Sequence, residues 1–331
     1  MISKRLRLLT RSSLPSSGRC SSYIQSYISR WNSSSISSSI EQHQKQSTTH
    51  FGFTEVPLEE KEGKVRQVFE NVADNYDVMN DLMSGGLHRL WKDELLTMTG
   101  VGPIAKALRQ SINNNNNNNN QNQKKLLNIL DVAGGTGDMA FRFIDAAGCI
   151  ERSKRLGGVD EISVTVCDIN TEMLRVGEKR ARMRYGNALL DESMSLTFKE
   201  GNAQYLPFED NTFDIYTIAF GLRNVTDIDM ALRDAYRVLK PGGRCLVLEF
   251  SKVDDPSLSV MYDLYSFHVI PKIGEVVAHD RASYQYLVES IRKFCNQEEL
   301  KQKMESAMFT NCKFHNLSGG IVSIHEGWKK F

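Results

Sequence analysis

Much is missing from this sequence that would assign it to other classes. Its six cysteines (Cys20, Cys149, Cys167, Cys245, Cys295, Cys312) are scattered, and no C-x-x-C pair occurs. Zinc ribbons, disulfide frameworks and redox dithiols all need close spacing, so the cysteines are read as small core residues and no metal site is expected. No run approaches the ~18 consecutive apolar residues that span a bilayer. Charge is balanced, at +1 from 41 basic and 40 acidic residues. That balance leaves no electrostatic footprint for nucleic acid.

The first forty residues lack acids altogether. Residues 1–50 hold seven basic side chains (Lys4, Arg5, Arg7, Arg11, Arg19, Arg30, Lys45) against Glu41, and fifteen of the first forty residues are serine. Arg- and Ser-rich, acid-poor and without a continuous apolar core, residues 1–45 have the composition of a mitochondrial or plastid transit peptide, the mitochondrial one preferred, rather than a secretory signal. A disordered basic tail is the plainer alternative. The remainder is mildly acidic and long enough for one sizeable core.

From residue 50 to about 110 the pattern predicts a short strap, "FGFTEVP", and then a helical lid broken at Ser84 to Gly86, with Val65, Val68, Phe69 and Val72 at helical spacing. Residues 113–123, "NNNNNNNNQNQ", cannot bury apolar surface and are expected as a solvated loop insertion. Strands and helices then alternate over residues 126–331. "KLLNILDV", "ISVTVCDI", "SLTFKEGNA", "FDIYTIAFGL" and "RCLVLEF" are the strands. A helix over "DIDMALRDAYRVL" is expected to stop at Pro241 and Gly242 of "KPGG". The C-terminal "KFHNLSGGIVSIHEGWKKF" suits an antiparallel hairpin. The fold class is therefore α/β and Rossmann-like: a mostly parallel sheet with a final antiparallel hairpin and an N-terminal lid.

Ligands of such sheets sit beyond the strand carboxyl ends, at the switch point. There stands "LDVAGGTGDMA", residues 130–140, whose Gly135, Thr136 and Gly137 form a G-x-G-x-x-A turn. On its own that turn also fits a dinucleotide. Three features favour S-adenosylmethionine (SAM). Asp131 precedes the turn, where a carboxylate disfavours pyrophosphate and suits a sulfonium or ammonium. Asp168 ends the second strand, where an acid accepts from ribose hydroxyls. Asn202 and Ala203 end the third strand, placing a side-chain amide and a small residue where adenine's edge and face would lie.

Several blocks carry a resemblance. "VFENVADNYDVMNDLMSGGLHRLWKDELL", "LDVAGGTGDMA", "AFGLRNVTD", "RVLKPGGRCLVLEFSK", "YSFHVIPKIG" and "GGIVSIHEGWK" occur in order between His50 and Phe331. Together they resemble the ubiquinone/menaquinone biosynthesis C-methyltransferases. The resemblance implies a class I SAM-dependent methyltransferase with a seven-stranded sheet, and C-methylation of a polyprenyl methoxy-benzoquinol ring in ubiquinone biosynthesis. It implies SAM contacts at Thr136, Asp168, Asn202 and Ala203. It also implies a quinone-biosynthesis assembly on the matrix side of the mitochondrial inner membrane, with peripheral contact; a homodimer is allowed for. This chain has Ala219 where the family often has serine, so Ala219 is not taken as a ligand.

Ring methylation needs a nucleophilic carbon, which a quinol gains as its hydroxyl loses a proton. Arg223, after the fourth strand, is the candidate to stabilise the phenolate, unless it only forms an ion pair closing its loop. Asn224 is the candidate to position the hydroxyl or a water, and Tyr76, beside Asp77, to approach from the lid. His268 is a weaker proton acceptor, since a lone histidine among apolar residues is more often structural. Leu258, Met261, Leu264, Tyr265 and Val269 could line a groove for the prenyl tail, meet a membrane surface or pack on the core. A nucleotide-dependent oxidoreductase and a non-catalytic assembly subunit are the alternatives.

Overall fold

The computed structural model describes residues 48–331 apart from 73–79, 82–83, 117–126, 149–161, 188–189, 191–194 and 279. The transit-peptide expectation for residues 1–45, the candidate Tyr76 and its neighbour Asp77 lie outside the described residues, as does most of the asparagine tract.

Apolar runs become the strands of one seven-stranded sheet. These are β3 (Leu127–Val132), β4 (Ile162–Asp168), β5 (Leu196–Glu200), β6 (Phe213–Ala219), β7 (Leu239–Phe250), β8 (Thr310–Leu317) and β9 (Val322–Trp328), in the order β5-β4-β3-β6-β7-β9-β8. The β5-β4-β3-β6-β7 pairings are parallel, whereas β9 runs antiparallel to both β7 and β8. Chain order reverses beside β3, and that reversal is the switch point. Successive β3 residues alternate between layers: Ile129 joins one buried cluster and Leu130 the other, both fully shielded.

The segment expected as one helical lid divides. "FGFTEVP" supplies most of a hairpin, β1 (Thr48–Phe51) with β2 (Thr54–Pro57), turning at Gly52 with φ +60°. Helix α1 (Leu58–Val72) follows. Helices α2 (Leu87–Thr99) and α3 (Val101–Asn116) instead belong to the body, since Trp91, Leu95, Val101 and Ala105 are buried in the main core. Helix α3 also runs to Asn116, four residues into the tract expected as loop. Once a helix is nucleated, each further residue gains a backbone bond, so weak formers can extend it.

The body's further helices are α4 (Asp138–Ala146), α5 (Thr171–Tyr185), α6 (Ile228–Val238), α7 (Pro256–Leu264), α8 (Ile270–Ala278), α9 (Arg281–Lys293) and α10 (Gln297–Ser306). Asn170 caps α5, its side chain accepting from Glu172 and Met173 amides. Helix α6 ends before "KPGG" rather than at it: Leu239 is already extended (φ −73°, ψ 142°). Lys240 to Gly243 form a bulge inside β7, where pairing jumps from Phe213–Leu239 to Ile215–Arg244 and Gly242 takes φ +77°.

Gly177 of α5 lies against the glycine turn. A Cβ there would stand 2.8 Å from the Phe198 ring and 3.1 Å from the Gly135 carbonyl. Gly177→Ala is expected to force α5 off the turn and cost about 1–3 kcal/mol, measurable by urea unfolding.

The apolar stripe of residues 258–269 is largely outside the core. Helix α7 buries none of its residues, and Met261 (68%) and Leu264 (57%) are exposed. Tyr265 to Val269 form a π-helical turn that leads into α8.

Candidate active site

A cavity of about 1060 Å³, its mouth included, opens at the carboxyl ends of β3, β4 and β6. Of the sequence candidates it brings together Asp131, Gly135, Thr136, Asp168, Asn202, Ala203 and Asn224, and Ala219 lines it too. Gly137, Arg223 and His268 do not line it.

Chain geometry at the turn is tight. Ala133 (φ 50°), Gly135 (φ 51°) and Gly137 (φ 83°) all adopt left-handed conformations, as does Phe220 (φ 60°) across the cavity. Such backbone at a non-glycine residue costs energy and is held only where the surroundings over-determine it. Gly137, expected at the cofactor, lies just behind the cavity wall. It precedes α4, and a Cβ on it would meet the Phe141 ring at 3.0 Å.

Asp131 is 1% exposed. In register with it on β6 stands Thr217, whose hydroxyl donates to Asp131 Oδ1 at 2.8 Å. Asp131 Oδ2 is buried with no hydrogen-bond partner. Burial pushes the carboxyl up to about 7, against the pull of the Thr217 bond and the nearby Lys92 charge. A Cβ on Gly134 would lie 2.7 Å from Oδ2, so glycine is needed to leave that oxygen room. An unpaired buried carboxylate oxygen in a cavity wall suits a ligand cation.

Asp168 ties two loops together. Oδ2 accepts from the Gly135 amide at 2.9 Å and Oδ1 from the Asn170 amide at 2.8 Å. Burial raises its carboxyl to about 6 despite these bonds. Each oxygen has a further lone pair, so ligand hydroxyls can still be accepted.

Asn202 is engaged from outside. Its Nδ2 donates to Glu62 Oε2 of α1 at 2.9 Å, and its Oδ1 accepts from the Gln204 amide. Lys61 Nζ donates to the Val225 carbonyl at 3.0 Å, and Asn170 donates to the Arg66 carbonyl. Helix α1, with Glu62, Val65, Arg66 and Phe69 in the cavity wall, is thus latched to three loops of the body.

Arg223 does not line the cavity. Its side chain is 4% exposed, and Nη1 donates to Glu249 Oε1 at 2.9 Å and to the Phe220 carbonyl. Its own amide donates to Glu249 Oε2, and the guanidinium lies over the Phe250 ring. The candidate cation for a phenolate thus has its Nη1 in an ion pair that closes the loop, while its Nε is buried with no hydrogen-bond partner among the described residues. Asn224, next in sequence, does reach the cavity, and its Oδ1 accepts from Tyr286 at 3.0 Å, leaving Nδ2 as a donor. His268 is exposed on the π-helical turn.

Sequence reasoning missed Glu62, Lys92, Thr217, Glu249 and Tyr286. Two had a visible signal: Thr217 and Glu249 are polar residues inside the most apolar stretches of their strands, "IYTIAF" and "LVLEF".

The carboxylate facing a cavity at the switch point, the acid closing the next strand and the amide on the third loop suit a nucleoside carrying a cation better than a pyrophosphate. Comparison with known proteins agrees. Residues 58–329 match the ubiE/COQ5 methyltransferase family. The bovine protein named 2-methoxy-6-polyprenyl-1,4-benzoquinol methylase, mitochondrial, is 47% identical over 317 residues, covering 88% of this chain and 87% of that protein. The human protein of that name is 47% identical over 312 residues, covering 88% and 87%. The UbiE ubiquinone/menaquinone biosynthesis C-methyltransferase of Rhodopseudomonas palustris strain TIE-1 is 50% identical over 282 residues, covering 85% and 97%. The chain belongs to the ubiE/COQ5 methyltransferase family.

Proposed function

We propose that this C-methyltransferase uses SAM to methylate a ring carbon of a polyprenyl methoxy-benzoquinol in ubiquinone biosynthesis, at the matrix face of the mitochondrial inner membrane. The names of its relatives support the substrate and the compartment, as does the composition of residues 1–45. The observation that carries the cofactor assignment is Asp131, a buried carboxylate with one oxygen left for a cation.

When bound, SAM supplies an electrophilic methyl group on sulfur. The chain's own residues do the rest. Asp131 takes the ammonium of the methionine end, Asp168 accepts from the ribose hydroxyls, and Asn202 with Ala203 meets the adenine. Gly135 gives the turn its shape, and Thr136 at its tip contacts the cofactor. On the acceptor side Asn224 Nδ2 would donate to the ring oxygen as its proton passes to solvent; the ring carbon would take the methyl group while sulfur keeps the bonding pair, and would then lose its hydrogen to solvent as the ring regains aromaticity. A phenol has a pKa near 10, so a donor placed at the developing charge lowers the barrier. Arg223 is a positioning residue that acts through Asn224. Tyr76 remains our proposal for the group that approaches the ring from the N-terminal side.

The tail is accommodated outside the cavity. Phe69 lines the cavity and also packs on the cluster of Ile270, Leu287 and Ile291, which Tyr265 and Phe267 extend. That apolar path leads toward Met261 and Leu264, which would meet lipid or lie under other enzymes of the pathway. No helix among the described residues is long and apolar enough to cross a membrane, so the proposed contact is peripheral.

The test is genetic and chemical. In a strain lacking its own enzyme, the demethylated quinol accumulates and this chain should abolish it, read by mass spectrometry. Continued accumulation with soluble, folded protein present rejects the assignment. Asn224→Ala is expected to lower kcat about 100-fold while cofactor affinity stays unchanged. A loss of cofactor affinity alone would place Asn224 on the donor side.

A further inference from the structure

Lys92 lies on the buried face of α2 with His88, Trp91 and Leu95. It is 6% exposed, yet it lines the cavity. Its Nζ donates to Asp138 Oδ2 at 2.8 Å, at the start of α4. An ammonium has three donors, and this is the one bond recorded for it among the described residues. Asp138 does not depend on Lys92, because Arg142 reaches its other oxygen. Burying a lysine costs several kcal/mol unless its charge is matched. A lysine placed only to neutralise Asp138 would have no reason to face the cavity.

On the same wall stands Asp131, with Oδ2 unpaired. One cation and one anion thus face a shared space, each with unused hydrogen-bonding capacity.

We infer that Lys92 and Asp131 form a zwitterion clamp for the α-amino-acid end of the cofactor, Lys92 taking its carboxylate and Asp131 its ammonium. The inference rests on the SAM reading and adds a residue to it. The clamp selects ligands that carry both charges and rejects nucleosides with a simple amine or a short alkyl chain.

Titration calorimetry tests it with S-adenosylmethionine, S-adenosylhomocysteine and decarboxylated S-adenosylmethionine, which keeps the amine and lacks the carboxylate. Wild-type protein is expected to bind the decarboxylated ligand about 10- to 100-fold more weakly than SAM, the loss of one charge-assisted hydrogen bond. Lys92→Met should weaken SAM by a similar factor and change the decarboxylated ligand by less than about threefold. Asp138→Asn removes the ion pair but keeps Lys92, and should retain the preference for the carboxylate.

Equal weakening of both ligands by Lys92→Met would show that Lys92 only ties α2 to α4 and would overturn the clamp. So would a wild-type protein that does not distinguish the two ligands, a comparison that needs no variant to fold. Wild-type protein that binds none of the three would overturn the cofactor reading itself.

Discussion

Asp131→Asn protein is expected to be more stable than wild type at pH 8 without ligand, and to bind SAM about 100-fold more weakly. The sign follows from the raised carboxyl of Asp131, which moves from 3.8 to about 7 on folding. A carboxyl whose pKa is raised by folding contributes its full stability below the unfolded value. That contribution is lost as pH rises through the folded value. Between pH 4 and pH 7 the wild-type apoprotein should therefore lose about 4 kcal/mol through this group. Asparagine stays neutral, so the slope should flatten. Asn can still accept from Thr217, but its amide group gains no partner, which offsets about 1–2 kcal/mol. The net gain at pH 8 is about 2 kcal/mol, read from urea unfolding at several pH values. An unchanged slope would mean that Asp131 is not the titrating group.

Ligand binding should reveal the same group. A bound ammonium favours ionised Asp131, so binding near pH 6.5 releases protons and SAM affinity rises from pH 6 to pH 8. Calorimetry in buffers of different ionisation enthalpy measures the release. It should fall in Asp131→Asn to the smaller release that Asp168, raised to about 6, contributes.

Arg223→Met should be the most destabilising single change near the site. Glu249 is 1% exposed on its side chain, and loss of the guanidinium would leave its carboxylate buried beside apolar rings. An orphaned buried charge costs about 3–5 kcal/mol, or roughly 6–20 °C in Tm. Adding Glu249→Gln removes that charge, while the glutamine can still accept from the Arg223-position amide. The double variant should recover most of the stability. If Arg223 acts by positioning Asn224, turnover should recover along with it. If Arg223 instead touched the phenolate, stability would return while kcat stayed low and its pH optimum moved upward. Thermal unfolding and pH-rate profiles on the three proteins separate the two roles.

The sheet was legible because its strands are short apolar runs punctuated by turns, and such runs have few alternatives. The final hairpin followed from "SGG" between two alternating segments. Helices α2 and α3 were harder. Apolar residues at helical spacing look alike whether a helix covers a pocket or packs into a core, and only burial of Leu95 and Ala105 decides it. Arg223 shows the same limit for charge. Its partner Glu249 lies 26 residues away on another strand, and no local pattern says which way a guanidinium turns. Proline and glycine end helices, so "KPGG" reads as a helix stop, but strand pairing on β6 absorbs the same residues as a bulge. Asp131, Asp168 and Asn202 were legible because strand ends converge by topology, so three polar residues at three strand ends must share a neighbourhood.

The bond between Glu62 and Asn202 bears on how inhibitors of this enzyme should be built. If Asn202 is the purine reader, its Oδ1 already accepts from the Gln204 amide and side chain, and Glu62 holds one of its two N–H donors in the ligand-free protein. Purine docking at the oxygen then exchanges one partner for another, with a balance close to zero, and only the second N–H is a new donor. Selectivity among purine bases should accordingly be shallow. Chemical elaboration of the base would be tolerated, whereas trimming the amino-acid end would forfeit most of the affinity.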